Sequence, residues 1–342
     1  MNLTELEIAV VGARGAVGAE LLGVLAGAGV EPGRVRACGS EASAGQRLGF
    51  GAGTVELVPT SRAALVGADL VFMAAGEEAA RRWAPVAVEA GARVVDNSSA
   101  FRDDPAVPLV IPEVNGDVLR GYAGRLVANP NCTTVIALLA ATPIRRAFGL
   151  ERMSVTSYQS VSGAGRRAMD ELRDQTAAVL AGEAPVPQVF AEPCAFNVFS
   201  HDSPVDPETG LNEEERKLVT ESAKLWGDDT TRVAATCMRV PVMRAHCTAL
   251  DLTLAEPARV ADAREVLGRA PGLELVDDRG RGDFPTPLKA AGRVVVLVGR
   301  LRADPSQAID ADGRACGLQL FAAGDQLLKG AALNAIQIAQ LW

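Results

Sequence analysis

Through the first third of the chain, short apolar runs alternate with stretches whose apolar residues recur at helical spacing. The runs at 8–12 (IAVVG), 35–39 (VRACG), 69–75 (DLVFMAA), 93–99 (RVVDNSS) and 125–129 (RLVAN) predict strands, and 16–28 and 78–90 predict helices between them. Strand, crossover helix, strand, repeated, is the rhythm of a parallel sheet with helices on both faces. A doubly wound α/β domain is expected over residues 1–131.

Beyond residue 132 the pattern changes. One long apolar helix (VIALLAATPIRRAF) leads into strand-like segments at 152–161, 232–242, 247–254 and 293–301, with helices expected near 163–181 and 212–226. Strands gathered without intervening helices predict a mostly antiparallel sheet, so residues 132–323 read as an α+β domain. The final stretch, 324–342 (GDQLLKGAALNAIQIAQLW), is expected to form a helix with Asp325 as its N-cap and to return to the first domain. The segments 185–193 and 201–212, rich in proline and turn residues, read as long loops.

Composition narrows the function classes. With 342 residues, 48% of them apolar, the chain can bury enough surface for about two domains. A net charge of −8 and a pI near 5.1, with no Lys/Arg block, disfavour a nucleic-acid binder, since phosphate contacts need a basic face. No apolar run reaches the ~18 residues of a spanning helix, and 1–7 lack a basic leader segment, so a soluble, cytoplasmic protein is expected. The six cysteines show neither CxxC nor Cys/His spacing, so no metal site and no disulfide framework are expected.

Two local patterns carry chemistry. Gly12, Gly15 and Gly18 form GxxGxxG directly after a strand and at the start of a helix, the context of a dinucleotide-binding turn. Its glycines let the backbone approach a pyrophosphate, and the helix N-terminus offers N–H groups to it. A tight strand-to-helix turn without a ligand would use the same glycines. Cys132, in Asn129-Pro130-Asn131-Cys132-Thr133-Thr134, stands in the first turn of the apolar helix, where the dipole stabilises a thiolate and the N–H groups can hold an oxyanion. Those are the needs of acyl transfer to sulfur, although a lone cysteine is more often a small buried residue.

The hexapeptide around Cys132, together with Asp96–Arg102 (DNSSAFR), Ser157–Gly165 (SYQSVSGAG), Ala195–His201 (AFNVFSH), Asn212–Lys217 (NEEERK), Arg239–His246 (RVPVMRAH) and Gly324–Ala332 (GDQLLKGAA), resembles the aspartate-β-semialdehyde dehydrogenase family over nearly the whole chain. The resemblance implies a dinucleotide-binding domain over 1–131, completed by the helix within 324–342, and a catalytic and dimerisation domain over 132–323. It also implies reduction of β-aspartyl phosphate by NADPH to aspartate semialdehyde and inorganic phosphate. By the same resemblance Cys132 is the nucleophile, His246 the general acid/base and Gln159 the residue orienting the acyl group. Arg239 would hold the substrate carboxylate by a two-point contact, Glu214 the substrate ammonium, and Arg102, Asn131 and Lys217 the phosphate. Without it, Glu214 and Lys217 read as a solvated helical ion pair on a capping box of Asn212 and Glu215. The seven-residue spacing of Arg239 and His246 requires a bend near Pro241 if both are to reach one site.

The cofactor residues implied are Gly12, Arg14, Gly15, Ala16, Val17, Gly18, Ser40, Ala42, Ser43, Ser162, Gly163 and Gln326. Here the chain departs from the family. Ala42 stands where an arginine commonly holds the 2′-phosphate of NADP, which opens NAD as an alternative, and Arg14 stands where threonine is usual. Arg14 is therefore a candidate replacement cation. Two other functions use the same fold: an N-acetyl-γ-glutamyl-phosphate reductase, and a catalytically silent scaffold paralogue. Glu214 argues against the first, because a carboxylate loses its partner when the amine is acetylated. A homodimer is expected, with a tetramer as the variant.

Overall fold

The computed structural model describes residues 1–342, which divide into two compact units: residues 1–131 with 331–342, and residues 132–330.

The first unit contains β1 (Ile8–Val11), α1 (Ala16–Gly27), β2 (Val35–Gly39), β3 (Arg47–Phe50), β4 (Gly53–Pro59), α2 (Arg62–Leu65), β5 (Leu70–Met73), α3 (Glu77–Glu89), β6 (Arg93–Asp96), α4 (Pro112–Asn115) and β7 (Leu126–Ala128). Its sheet has the order β3-β4-β2-β1-β5-β6-β7, parallel except at the β3–β4 hairpin. β1, β5 and most of β6 are buried on both faces, which is why each reads as an unbroken apolar run. The β3–β4 hairpin did not show in the apolar pattern, because β3 is short and largely exposed and glycines 45, 49, 51 and 53 interrupt it.

The second unit contains α5 (Cys132–Phe148), β8 (Arg152–Gln159), α6 (Arg166–Leu180), β9 (Phe199–Ser200), α7 (Glu213–Trp226), β10 (Arg232–Arg239), β11 (His246–Ala258), α8 (Val260–Arg269), β12 (Leu273–Leu275), α9 (Pro287–Ala290), β13 (Val296–Ala303) and β14 (Ala315–Gly324). The sheet order is β12-β13-β14-β11-β8-β10-β9, with antiparallel pairs except β8–β10 and β12–β13. α5 and α7 cover the face that carries Met153, Val155, Leu250 and Leu252. β14 was missed because its alanines and glycines (ACGLQLFAAG) carry little strand signal, and α8 was missed as well.

The return to the first unit begins at Ala331 rather than at Gly324. Gly324 ends β14, and Asp325 and Gln326 are bonded within the second unit, to Arg244 and to Ala245. Asp325 does cap, but it caps a wide π-helical turn (Leu328–Ala332), accepting from the N–H groups of Leu327 and Leu328 at 3.0 and 3.2 Å. The α-helix proper, α10 (Leu333–Leu341), starts later. There Ala335, Ile336 and Ile338 enter the core of Ile8, Val10 and Leu21, and Asn334 donates to Val110 O and Asn129 Oδ1 at 3.0 and 2.6 Å. Burying each isoleucine is worth about 2 kcal/mol, which holds a terminal helix that has no capping side chain.

Candidate active site

In the first unit the glycine turn is set by close packing. A Cβ on Gly12 would lie 2.5 Å from the Ala74 carbonyl oxygen, at a φ of +86°, and one on Gly18 would lie 2.2 Å from the Gly12 carbonyl oxygen. Both approaches exclude any side chain, and they bring the strand end, the turn and α1 into contact. Beside the turn, at the carboxyl ends of β1, β2 and β4, is a cleft of about 400 Å³ lined by Gly12, Ser40, Glu41, Thr60, Arg82 and Trp83 among others. This is where an open parallel sheet binds ligands. Arg82 stacks on Trp83, its guanidinium carbon 4.7 Å from the ring centre. Arg14 and Ala42 are exposed and lie outside this lining, while the Ser43 hydroxyl turns inward to Ser40 O at 2.9 Å. Gly15 caps α1, and Ala16, Val17 and Gly18 form its first turn. Arg102 is buried in this unit, with its Nε donating to Asn129 O and its Nη2 to Asn97 O at 2.9 and 3.0 Å, and Asn131 is buried as well.

In the second unit the chemistry gathers at one end of the sheet. Arg239 ends β10 directly opposite Gln159, which ends β8, and Cys247 pairs with Tyr158, so His246 enters β11 beside Gln159. All three side chains lie on the helix-covered face and are buried. The bend expected near Pro241 is a full break: the chain leaves β10 at Arg239, crosses residues 240–245 and re-enters as β11, with Ala245 left-handed at a φ of 75°. Gln326 braces that turn, accepting from Ala245 N–H at 2.9 Å and donating to the Ser162 hydroxyl. Its amide is therefore engaged inside the protein, as is Ser162.

His246 is fully buried. The Ser160 N–H donates to Nδ1 at 3.0 Å, which makes Nδ1 the lone-pair nitrogen and places the hydrogen of the neutral ring on Nε2. Burial, reinforced by the Arg239 charge and by His201, pushes its pKa well below the ordinary 6.5. Nε2 has no protein partner, and a Cβ on Gly163 would come within 3.2 Å of it. An unspent buried donor costs about 1–3 kcal/mol.

Arg239 is held by three acceptors. Its Nη1 donates to Ser160 O at 3.0 Å, its Nη2 to His201 Nε2 at 2.9 Å, and Nε and Nη2 both reach Asp202 Oδ1, at 3.2 and 2.6 Å. Phe190 packs against the guanidinium, 5.2 Å from ring centre to carbon. Because arginine has only donors, His201 must offer a lone pair from Nε2 and is neutral, consistent with a pKa lowered by burial and by Arg239. The chain's two histidines thus both sit within the field of one arginine.

α7 starts with the capping box read from the sequence: Asn212 Oδ1 accepts from Glu215 N–H at 2.9 Å and Glu215 Oε2 from Asn212 N–H at 3.0 Å. The other Glu215 oxygen accepts from Cys237 N–H on β10 at 3.0 Å, which ties the helix start to the strand. Glu214 is thereby buried 3.3 Å from Gln159 Nε2, with Lys217 Nζ 3.7 Å from its second oxygen. This is a partly buried cluster, not a solvated pair.

Cys132 is the first residue of α5 and is half-buried. A Cβ on Gly330 would lie 2.9 Å from Cys132 Cβ, so the wide turn must be bare there. Burial pushes Cys38 up to about 11 and Cys237 and Cys247 up to about 12, which leaves those thiols protonated and inert. Sequence reasoning missed Ser160, His201 and Asp202 as partners of the site, and Arg82 and Trp83 of the cleft. The first two lay inside recognisable motifs, whereas Arg82 and Trp83 sat on an ordinary amphipathic helix.

Two family models match the chain: the semialdehyde dehydrogenase NAD-binding domain over residues 7–122 and the semialdehyde dehydrogenase dimerisation domain over 142–329. The aspartate-semialdehyde dehydrogenase of Synechocystis sp. is 42% identical over 336 residues, covering 98% of this chain and 97% of the relative. That of Mycolicibacterium smegmatis is 42% identical over 322 residues, covering 90% of each. Among solved structures, aspartate semialdehyde dehydrogenase II of Vibrio cholerae, complexed with ASA, superposes with a TM-score of 0.91 at 37% identity, covering 98% of this chain and 97% of that one.

Proposed function

The chain belongs to the aspartate-semialdehyde dehydrogenase family, and on that premise we propose that it reduces β-aspartyl phosphate with NADPH to L-aspartate-β-semialdehyde and inorganic phosphate, the step that feeds lysine, threonine and methionine synthesis. The observation that carries this reading is the convergence of Gln159, Arg239 and His246 on one end of the second sheet, in the unit whose first helix begins with Cys132.

The Cys132 sulfur attacks the acyl carbon; an S–C bond forms, the C–O bond to phosphate breaks, and phosphate leaves. When bound, the dinucleotide supplies the hydride that reduces the thioester. His246 donates an Nε2–H hydrogen bond to the oxygen that gains charge and holds it as the C–S bond breaks, releasing aldehyde and thiolate. A positioned donor to a developing oxyanion is worth about 10²–10³ in rate. Gln159 orients the acyl group, Arg239 receives the α-carboxylate, and buried Glu214 receives the ammonium. To the departing phosphate we assign Arg102, Asn131 and Lys217, on their charge and donor capacity. Ser162, Gly163 and Gln326 keep their assignment near the nicotinamide, with Gln326 also bracing the turn before His246.

The residues of the first unit suit a nicotinamide dinucleotide: the close Gly12 and Gly18 contacts form a cradle that a Cβ would fill, beside a cleft of about 400 Å³. We assign the 2′-phosphate of NADP to Arg82, with Ser40 and Thr60 as donors, in place of the arginine that Ala42 lacks. Glu41, on the same lining, favours a free ribose hydroxyl and sets the competing preference for NAD. For the homodimer we assign the open face of the second sheet, where Tyr158 and Phe321 lie 6.3 Å apart and Asp251 accepts from Gln319 at 2.5 Å.

The deciding experiment is phosphate-dependent oxidation of L-aspartate-β-semialdehyde followed at 340 nm, with NADP and NAD in parallel. Turnover that requires phosphate and prefers NADP is expected. No turnover with either coenzyme, in folded protein, would move the reading to the N-acetylated substrate, which the Glu214 carboxylate disfavours, and then to a silent paralogue.

A further inference from the structure

Counting donors on Arg239 exposes a conflict with a two-point contact to substrate. Of its five N–H groups, one on Nε and one on Nη2 point to Asp202, the second on Nη2 points to His201, and one on Nη1 points to Ser160 O. A single N–H on Nη1 is left, and one N–H cannot fork onto a carboxylate. A neighbour must therefore yield. Ser160 is fixed by its backbone, whose N–H is committed to His246. The His201 side chain is only 12% exposed and is anchored through Nδ1 to Ser203. Asp202 differs: it is the only charged partner of Arg239, it is 31% exposed against 2% for the arginine, and it stands in the turn-rich segment 201–212.

We propose that Asp202 is an internal stand-in for the substrate's α-carboxylate, seated on Arg239 in the empty enzyme and displaced when substrate binds. The inference rests on Arg239 being the carboxylate seat. Exchange of one carboxylate for another keeps the buried guanidinium paired in both states, which avoids an uncompensated buried charge. It also makes substrate compete with an intramolecular ligand, so apparent affinity falls in proportion to the fraction of sites in which Asp202 is seated. The lowered pKa of Asp202, held down by Arg239, keeps it anionic and able to compete at neutral pH.

The test is the KM for L-aspartate-β-semialdehyde and the kcat in wild type, Asp202→Asn, Arg239→Lys and the double variant, with thermal melts on all four. Asparagine keeps the shape and removes the charge, so KM should fall about tenfold in Asp202→Asn with kcat within about twofold. Arg239→Lys, which loses the fork, should raise KM by at least about tenfold and abolish most of the Asp202→Asn effect in the double variant. A KM that is unchanged or raised in Asp202→Asn, with KM raised in Arg239→Lys, overturns the stand-in and makes Asp202 a fixed orienting partner. Wild-type KM in a folded Arg239→Lys enzyme overturns the carboxylate seat itself, and the stand-in with it.

Discussion

The two regions that carry chemistry are built in opposite ways. In the first unit the cradle is backbone: Gly12 and Gly18 are bare because a carbonyl lies within 2.5 Å of where each Cβ would be, and α1 offers its first-turn N–H groups. In the second unit the working parts are side chains, buried and already hydrogen-bonded before any ligand arrives. Arg239 is engaged by Ser160, His201 and Asp202 with one Nη1 N–H left over, and His246 accepts from Ser160 with Nε2 in reserve. A backbone cradle tolerates changes in the side chains around it and fails when a methyl group is added. A pre-bonded cluster behaves in the reverse way, since each member holds its neighbour in place.

Substitutions can break this contrast. The largest effect is expected from Cys132→Ser, which exchanges one atom yet should lower kcat at least about 100-fold with little change in melting temperature, because serine's far higher pKa removes the anionic nucleophile. Residual turnover above about a tenth of wild type, ~1.4 kcal/mol of barrier, would mean another residue is acylated. Next comes Gly18→Ala: a Cβ 2.2 Å from the Gly12 carbonyl should weaken NADPH binding at least about tenfold, read by nucleotide fluorescence titration, and lower the melting temperature.

Side-chain changes around the cradle should do less. Arg82→Ala is expected to narrow the NADPH over NADH preference about tenfold, ~1.4 kcal/mol, in dissociation constants, whereas Arg14→Thr should move the preference less than about twofold. The reverse ranking would return the 2′-phosphate to Arg14. The smallest effect is on pH dependence. His246 and His201 both have pKa values lowered by burial, so the unfolded chain binds protons that the folded one refuses. Stability is complete above the unfolded imidazole range, about pH 6.5, and falls as pH drops below it. Melting temperatures between pH 7.5 and 5 should decline less steeply in His246→Asn than in wild type; parallel slopes would show that His246 charges freely in the fold.

Legibility followed the same division. The apolar runs that became β1, β5, β6 and β7 were plain because a parallel strand buried on both faces admits almost nothing polar, and the capping box at Asn212 and Glu215 is a local signal. The β3–β4 hairpin, β14 and α8 were not, since glycine and alanine carry little periodic information. At the site, Cys132, Gln159, Glu214, Arg239 and His246 stood in recognisable motifs. Asp202 followed one of them directly, yet nothing local announces that its carboxylate will meet a guanidinium 37 residues away. Arg82 looked like any solvent-facing arginine of α3.

What the sequence determined by itself is whatever depends on neighbours along the chain: the strand and helix rhythm, the glycine turn, the cysteine at a helix start and the cap of α7. The tertiary structure alone decided the tautomer of His246, the lowered pKa of both histidines, the pairing of Arg239 with Asp202 and the presence of Arg82, rather than Arg14, on the lining of the cleft. Those depend on dielectric and on distances between groups tens of residues apart. A proton's position or a charge's partner is set by what folding brings within a few ångströms, and residue order does not contain that until the sheet has closed.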